Sequence, residues 1–293
     1  MSGPPFTAAQ KSGQLEFMTT FEQLAASDGE LDVALGAALI ARDVYASLDV
    51  PKLLARFDEL AAGLVVEGTG AKSRAETISA HVYGTLGFKG NESDYYDPKN
   101  SLVSDVLERR TGIPISLALV YCEIARRVSV RAEGVGFPGH FLVRVFGAPP
   151  GDEVLIDPFY GGRIVDDDAL AALFARVSGQ AAAPAPQARI TAEMTAATTG
   201  RAFLTRWLMN LRGIYLSRGD LPRALLVVDR LVSLNPRDRG LLRDRGLLAM
   251  RLGATSAARD DLARALALDP ASEGAAELRA MLEKLDKKTD ASN

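Results

Sequence analysis

Cysteine and histidine are scarce in this chain, and their scarcity limits the chemistry that it supports. Among 293 residues there are one cysteine, Cys122, and two histidines, His81 and His140. A single thiol excludes a disulfide framework and a zinc or iron–sulfur site built from several cysteines, and two histidines exclude a histidine-rich metal centre. The sequence also lacks a glycine-rich loop between a strand and a helix that would bind a nucleotide. We therefore expect neither a metal ion nor a cofactor.

Long hydrophobic runs and a strong charge imbalance are lacking too. No stretch of about 18 uncharged apolar residues is present, so we expect no membrane-spanning segment. The net charge of −3 gives no reason to expect nucleic acid as a partner. Residues 1–14 contain one lysine and no apolar segment of a signal peptide. Together with the single thiol, this favours the cytoplasm as the location of the protein.

Apolar residues make up 47% of the chain, enough to form a core, and they first recur with helical spacing. After a flexible leader, residues 1–14, apolar side chains appear at three- and four-residue steps through an N-terminal helical region, 15–90. Pro51 stands where a helix is expected to start, because the missing N–H costs nothing in the first turn. Another helix is predicted over 74–86, ending at Gly87.

Residues 91–177 combine a helix with strands. The segment 113–125 is apolar on almost every side, which is typical of a helix buried over most of its surface. The runs 141–146 and 154–156 are β-branched or aromatic and flank a Gly/Pro/Asp link, which favours an antiparallel hairpin. Further short strands are predicted at 134–137 and 163–165. This order of elements predicts an α+β domain.

A repeat with a period of 34 residues dominates the C-terminal region, 201–288. The period, the small residues and the prolines that end alternate helices are typical of tetratricopeptide repeats, so we predict an all-α array of two repeats and a capping helix. An Ala/Pro-rich linker, 178–200, precedes the array, and a tail, 289–293, follows it. The pairs that match at this offset are Gly219/Gly253, Ala224/Ala258, Val228/Leu262, Leu231/Ala265, Leu234/Leu268 and Pro236/Pro270.

Four motifs occur in order along the predicted α+β domain. They are DYYDPKNS at 94–101, VLERRTGIPIS at 106–116, EGVGFPGHFL at 133–142 and IDPFYGGR at 156–163. These motifs resemble the transglutaminase-like core of the bacterial SirB-type family, in which that core is followed by tetratricopeptide repeats. The resemblance spans about residues 31–174 and implies a papain-like fold, with a central helix packed on an antiparallel sheet.

The same resemblance implies where a catalytic site would lie. Active members of the wider superfamily have a cysteine at the start of the central helix, a histidine on the next strand and an aspartate on the strand after. His140 and Asp157 match the second and third positions, but Ser116 stands near the position of the nucleophilic cysteine. Cys122 lies six residues further along the helix and on another face, so it is interpreted as a buried structural thiol. Ser116, His140 and Asp157 thus form a candidate, or vestigial, catalytic triad.

Each of these residues also has a structural interpretation. Ser116 is either a nucleophile, which needs a His140 nitrogen within about 3 Å and an oxyanion hole, or a side chain that caps the start of the helix. His140 and Asp157 either work together in catalysis, as in other triads, or form a hydrogen bond that fixes a hairpin. Tyr95 and Tyr96 belong to a turn-rich loop that either lines a cleft or only forms a turn.

The repeat segment carries a local excess of positive charge. Between Arg201 and Arg264 there are 13 arginines and six aspartates, with no lysine or glutamate. If these arginines line a groove, they favour an acidic protein or peptide partner; otherwise they are solvated surface residues. We therefore predict a non-catalytic transglutaminase-like protein, a cytoplasmic protein–protein interaction module that acts through its repeats. The alternatives are a hydrolase or acyltransferase that uses Ser116, and a core that holds a peptide without cleaving it.

Overall fold

The computed structural model describes residues 20–177 and 190–290, which fall into two units. The core unit runs from Glu30 to Trp207. The repeat unit contains the described residues before Glu30 together with those from Leu208 onward. The predicted leader, residues 178–189 of the predicted linker and the last three residues of the predicted tail lie outside the described part of the chain. The domain limits expected from the sequence therefore stay predictions.

The helices and strands are numbered in chain order. The α-helices are α1 (Phe21–Ala25), α2 (Val33–Val44), α3 (Val50–Ala61), α4 (Ala71–Ser79), α5 (Val103–Arg109), α6 (Pro114–Arg127), α7 (Asp167–Val177), α8 (Gly200–Ser217), α9 (Leu221–Leu234), α10 (Arg239–Arg251), α11 (Thr255–Leu268) and α12 (Ala275–Asp290). The strands are β1 (Lys89–Gly90), β2 (Thr111–Gly112), β3 (Ala132–Val135), β4 (Leu142–Phe146), β5 (Glu153–Asp157) and β6 (Arg163–Val165). Short 3₁₀-helices span Pro98–Ser101 and Ala192–Thr195, and a π-helical segment, Ala80–Thr85, continues α4. Across the described ranges, no helix combines the length and the hydrophobicity needed to cross a membrane.

Capping side chains fix where the first helices of the core unit begin. The Asp32 carboxylate accepts a hydrogen bond from the Leu35 amide at 2.9 Å, and Asp49 caps α3 in the same way. Pro51 lies in the first turn of α3, as predicted. The helix that begins with α4 ends before Gly87, whose φ of +73° is a conformation that glycine adopts without a steric penalty.

The central helix of the core unit is α6. Pro114 occupies its first turn, and apolar side chains around most of its circumference are buried. The helix packs against α3, α4, β3 and β4, and the Tyr121 hydroxyl donates a hydrogen bond to the Ala75 carbonyl oxygen of α4 at 3.1 Å. Contacts on so many sides explain why this part of the sequence lacks the polar face of a surface helix.

The longer strands form an antiparallel sheet in the order β3-β4-β5-β6. Gly134 of β3 lies opposite Val143 of β4, which lies opposite Ile156 of β5. An apolar cluster joins the sheet to α7 through Val135, Phe137, Leu142, Val165, Leu170 and Leu173. A central helix packed on an antiparallel sheet confirms the predicted α+β core. The two-residue parallel pair β1–β2 is too short to be recognised from its sequence.

Helix packing in the repeat unit follows the 34-residue period. Gly219 and Gly253, with φ of +70° and +81°, form equivalent turns after α8 and α10. Ala224 and Ala258 are fully buried at equivalent places in α9 and α11. A Cβ added to Gly246 of α10 would lie 2.9 Å from a leucine side chain of α11, so these two helices approach closely. The predicted C-terminal helical repeats are confirmed.

The described residues before Glu30 belong to the repeat unit. Helix α1 packs against α9, and Arg230 forms an ion pair with Glu22. The Arg230 guanidinium carbon also lies 5.7 Å from the centre of the Phe21 ring, within the range of a cation–π contact. Helical periodicity does not reveal this association, because it reports a buried face and not what covers that face.

Candidate functional site

Strand register brings His140 and Asp157 together. Val143 lies opposite Ile156 in the β4–β5 pair, so the residues at the start of β4 and at the end of β5 are neighbours. His140 lies in the turn just before β4, where its amide donates to the Phe137 carbonyl oxygen at 3.0 Å. Its Nε2 lies 3.0 Å from Oδ1 of Asp157, the last residue of β5.

Several donors hold the Asp157 carboxylate, which is only 1% exposed. Its Oδ1 accepts hydrogen bonds from the amides of Phe159 at 3.0 Å and Tyr160 at 3.4 Å, and Arg163 Nη2 lies 3.7 Å from Oδ2. These donors compensate for burial of the carboxylate. Because Asp157 is an acceptor, it favours the His140 tautomer with its proton on Nε2, which leaves Nδ1 as an acceptor in the neutral ring. Nδ1 has no hydrogen-bond partner among the described residues.

The Ser116 hydroxyl is bonded to the backbone at the start of α6. Its Oγ accepts a hydrogen bond from the Ile113 amide at 3.0 Å and donates to the Asn100 carbonyl oxygen at 2.7 Å. The residue is fully buried, and a Cβ added to Gly112 would lie 2.5 Å from Oγ. Within the described ranges, no hydrogen bond joins Ser116 to His140.

Of the three candidate triad residues, the structure therefore joins His140 to Asp157 and bonds Ser116 elsewhere. This geometry describes where the side chains lie and which atoms they contact. A role for any of the three in catalysis stays a prediction.

Aromatic rings surround His140. The Tyr160 ring is stacked on the imidazole with centroids 6.4 Å apart, and Phe159 meets the imidazole edge-on at 6.5 Å. Phe159 also contacts the ring of Tyr95 at 5.9 Å. Tyr95 and Tyr160 are each 38% exposed, so this part of the core unit presents aromatic surface to solvent. Tyr96, 69% exposed, packs edge-on against Tyr95.

Arg206 of α8 contacts the turn that carries His140. Its Nη2 donates to the carbonyl oxygens of His140 at 3.3 Å and Phe137 at 3.4 Å. Burial lowers the pKa of Arg206 from its ordinary value, against the opposing influence of Tyr95. No carboxylate lies within ion-pair distance of Arg206 in the described part of the chain. We refer to Tyr95, His140, Asp157, Tyr160 and Arg206 as the His140 cluster.

The single thiol is poorly suited to act as a nucleophile. Cys122 is only half-buried, not buried as predicted. Desolvation still raises its pKa, and the nearby carboxylates of Glu123 and Glu133 act in the same direction. The thiol is therefore protonated at neutral pH, whereas the thiolate is the reactive form. In residues 20–177 and 190–290, no group of three or more His, Cys, Asp or Glu side chains is placed to hold a metal ion.

A groove with a volume of about 630 Å³ crosses the repeat unit. Its lining combines apolar side chains with three aspartates and two arginines, and it draws on α9, α10 and α11. We call this surface the repeat groove. It is lined by Pro222, Leu225, Leu226, Asp229, Arg245, Ala249, Ala254, Ala257, Asp260, Asp261 and Arg264.

Arg245 of the repeat groove is bonded to two aspartates. Its Nε and Nη2 each lie 2.7 Å from an oxygen of Asp261, and its Nη1 lies 2.6 Å from Asp229. Asp261 is 5% exposed, so this is a largely buried bidentate pair. Its hydrogen bonds raise the pKa of Arg245. The excess of arginine in the segment therefore does not make this groove cationic.

Sequence reasoning missed Arg206 and Tyr160 as neighbours of His140. Because Arg206 follows the predicted linker, the sequence groups it with the repeat segment, although it lies in the core unit. Tyr160 belongs to the motif at 156–163, so the four-motif resemblance already marked its neighbourhood. A tyrosine three residues after Asp157, in a turn that its carboxylate stabilises, is the signal that could have identified it.

Relatives match most of the chain. It is 38% identical to a UPF0162 protein of Xylella fastidiosa over 257 residues, which cover 86% of this chain and 89% of that protein. It is 34% identical to a UPF0162 protein of Pseudomonas aeruginosa over 189 residues, 64% of this chain and 66% of that protein. A shorter match, 43% identical over 94 residues, is to F-box only protein 21 of Mus musculus and covers 30% of this chain and 15% of that protein.

Two protein-family models match consecutive parts of the chain. Residues 48–209 match the transglutaminase-like superfamily, and residues 211–283 match a tetratricopeptide repeat. The first match includes the whole His140 cluster and Ser116, and the second includes the repeat groove. This is the architecture expected from the four motifs and the 34-residue period. The chain therefore belongs to the transglutaminase-like superfamily, and it carries tetratricopeptide repeats after the transglutaminase-like core.

Proposed function

We propose that this protein is a non-catalytic member of the superfamily that acts in the cytoplasm as a protein–protein interaction module through its repeats. The observation that carries the proposal is the bonding of Ser116, whose buried hydroxyl donates to Asn100 and accepts from Ile113. A serine nucleophile must present its oxygen to the substrate and its proton to a base. The Ser116 hydroxyl does neither, because the backbone surrounds it and takes its proton.

The repeat groove supports the interaction role. Leu225 and Leu226 are half-buried and Ala257 is exposed, so apolar side chains from neighbouring helices line one open surface. Helical repeat arrays use such surfaces to hold a peptide segment. Because Arg245 is neutralised by aspartates, this groove favours a partner with an apolar contact face. An acidic partner, expected from the arginine count, would contact arginines outside the groove.

Filling the groove tests the interaction role. Ala257→Arg places a long side chain in the groove from an exposed position, and Ala263→Arg is a matched control at an exposed position of the same helix outside the lining. Proteins captured from an extract of the source organism are compared by quantitative mass spectrometry. We expect a set of partners that wild type and Ala263→Arg retain and Ala257→Arg loses. Identical capture by all three proteins would contradict binding at this groove.

A hydrolase or acyltransferase is the second candidate, favoured by the His140–Asp157 pair at 3.0 Å. Labelling with a fluorophosphonate, read by intact mass and peptide mapping on wild type and His140→Ala, separates the two candidates. The non-catalytic proposal expects no adduct on Ser116. A stoichiometric adduct on Ser116 that disappears in His140→Ala would establish the enzyme instead.

A further inference from the structure

The guanidinium of Arg206 is partly buried without an anion beside it. Its Nη2 donates only to carbonyl oxygens, at 3.3 and 3.4 Å, and its Nε and Nη1 have no partner among the described residues. Arg56 and Arg74 of the core unit likewise donate to carbonyl oxygens, whereas Arg109 lies 2.8 Å from Asp97. An arginine bonded only to carbonyl oxygens keeps an uncompensated positive charge, which can still bind an anion. Arg206 differs from Arg56 and Arg74 because it bonds to His140, whose ring is stacked on the partly exposed Tyr160.

Two tyrosines pack around the turn that Arg206 contacts: the Tyr160 ring is stacked on His140, and the Tyr95 ring meets Phe159, which also contacts His140. The hydroxyls of Tyr95 and Tyr160 have no hydrogen-bond partner within residues 20–177 and 190–290, and both side chains are partly exposed. Their rings meet on Phe159, with centroids 5.9 and 5.1 Å from its own. The pKa of Tyr95 is raised by burial, and the positive charge of Arg206 acts against that shift. One cationic donor and two hydroxyl donors therefore adjoin an exposed aromatic surface.

These groups match a carboxylate ligand. A guanidinium binds a carboxylate through two parallel N–H···O hydrogen bonds, and hydroxyl donors strengthen the same contact. Aromatic rings beside it would pack against an apolar or aromatic side chain. We propose that Arg206, Tyr95 and Tyr160 form a binding site for the carboxylate of a peptide, with an adjoining apolar side chain on the rings. This inference goes beyond the proposed function, because it needs neither catalysis nor the repeat groove.

Small probes on the full chain test the site through the imidazole NMR signals of His140. N-acetylphenylalanine carries an aromatic ring and an α-carboxylate, and N-acetylphenylalaninamide carries the same ring without the charge. N-acetylglutamic acid α-amide carries a side-chain carboxylate. His81, whose Nε2 contacts the Leu60 carbonyl oxygen at 2.8 Å, is the internal control. We expect one or both carboxylates to shift the His140 signals saturably, and the tighter of the two identifies the source of the carboxylate.

Substitution of Arg206 tests whether its charge is responsible. Arg206→Gln keeps donors for the two carbonyl oxygens and removes the charge, so we expect about tenfold weaker carboxylate binding. Arg131→Gln, which removes an exposed arginine of the core unit that is paired with Glu133, should change binding by no more than about twofold. The fluorescence of Trp207, whose Nε1 donates to the Ser101 carbonyl oxygen at 2.8 Å, shows whether each variant is folded.

Three results would overturn the proposal. The first is binding of the amide probe as tightly as its carboxylate counterpart in wild type. The second is equal carboxylate affinity in folded Arg206→Gln and wild type, or equal losses in Arg206→Gln and Arg131→Gln. The third is the absence of any His140 shift with all three probes. If Arg206→Gln fails to fold, the carboxylate–amide comparison on wild type still decides the question, and it does so independently of the repeat groove.

Discussion

Arg245 of the repeat unit and Arg206 of the core unit are both partly buried, but their surroundings differ. Arg245 bonds both oxygens of Asp261 and one of Asp229, at 2.6–2.7 Å. Arg206 contacts two carbonyl oxygens at longer distances and no carboxylate in the described residues. The pKa shifts follow: the hydrogen bonds of Asp261 raise the pKa of Arg245, and burial lowers that of Arg206.

This difference separates charges that stabilise the fold from charges that are open to a ligand. Arg245 in α10 joins Asp229 in α9 to Asp261 in α11, so its ion pairs hold three helices together. The hydrogen-bonding capacity of Arg206 is only partly used. An arginine count treats the two residues alike, and it therefore predicts neither the stability of the repeats nor the place where an anion binds.

The largest effect is expected for removal of the paired charge. Arg245→Met leaves the buried Asp261 without its bidentate partner, and we expect the free energy of unfolding to fall by about 3 kcal/mol. Urea denaturation followed by circular dichroism measures it. Arg259→Met, which removes an exposed arginine paired with Asp286, is the control and should leave the midpoint unchanged. Equal midpoints for Arg245→Met and wild type would remove the distinction between the two arginines.

An intermediate effect is expected for Ser116→Ala. The hydroxyl satisfies the buried Ile113 amide and the Asn100 carbonyl oxygen, so its loss should lower the free energy of unfolding by about 1–2 kcal/mol. Denaturation in urea again provides the value. Ser104→Ala is a useful control, because the Ser104 hydroxyl has no hydrogen-bond partner in the described structure. If both substitutions lower the free energy of unfolding equally, the hydrogen bonds of Ser116 to the backbone do not stabilise the fold more than the unpaired hydroxyl of Ser104 does.

The smallest effect is expected for Arg206→Met. This change loses two long hydrogen bonds but also removes a charge from a partly buried position, so the free energy of unfolding should change by less than about 1 kcal/mol. The same urea titration tests it beside Arg245→Met. If Arg206→Met lowered the free energy of unfolding as much as Arg245→Met, Arg206 would have a structural role, and the two arginines would not differ in their contribution to stability.

Periodicity and motifs were sufficient to predict the main helices, the β4–β5 hairpin and the repeats, because each depends on local spacing. The pairing of His140 with Asp157 also follows from hairpin register. The partners of Ser116 could not be predicted in this way. The Asn100 carbonyl oxygen is 16 residues away in sequence, and only the folded backbone brings it to the start of α6. For the same reason, the sequence alone does not predict which arginines form an ion pair with an aspartate.

The His140–Asp157 hydrogen bond also bears on how the sheet forms. It closes a segment of 17 residues, and it depends on β4 and β5 pairing with Val143 opposite Ile156. A slip of one residue would turn every side chain of a strand to the other face of the sheet. Asp157 would then leave its donors, and a buried carboxylate would lose its hydrogen bonds. The pair thus penalises misaligned hairpins during folding, whether or not it ever meets a substrate.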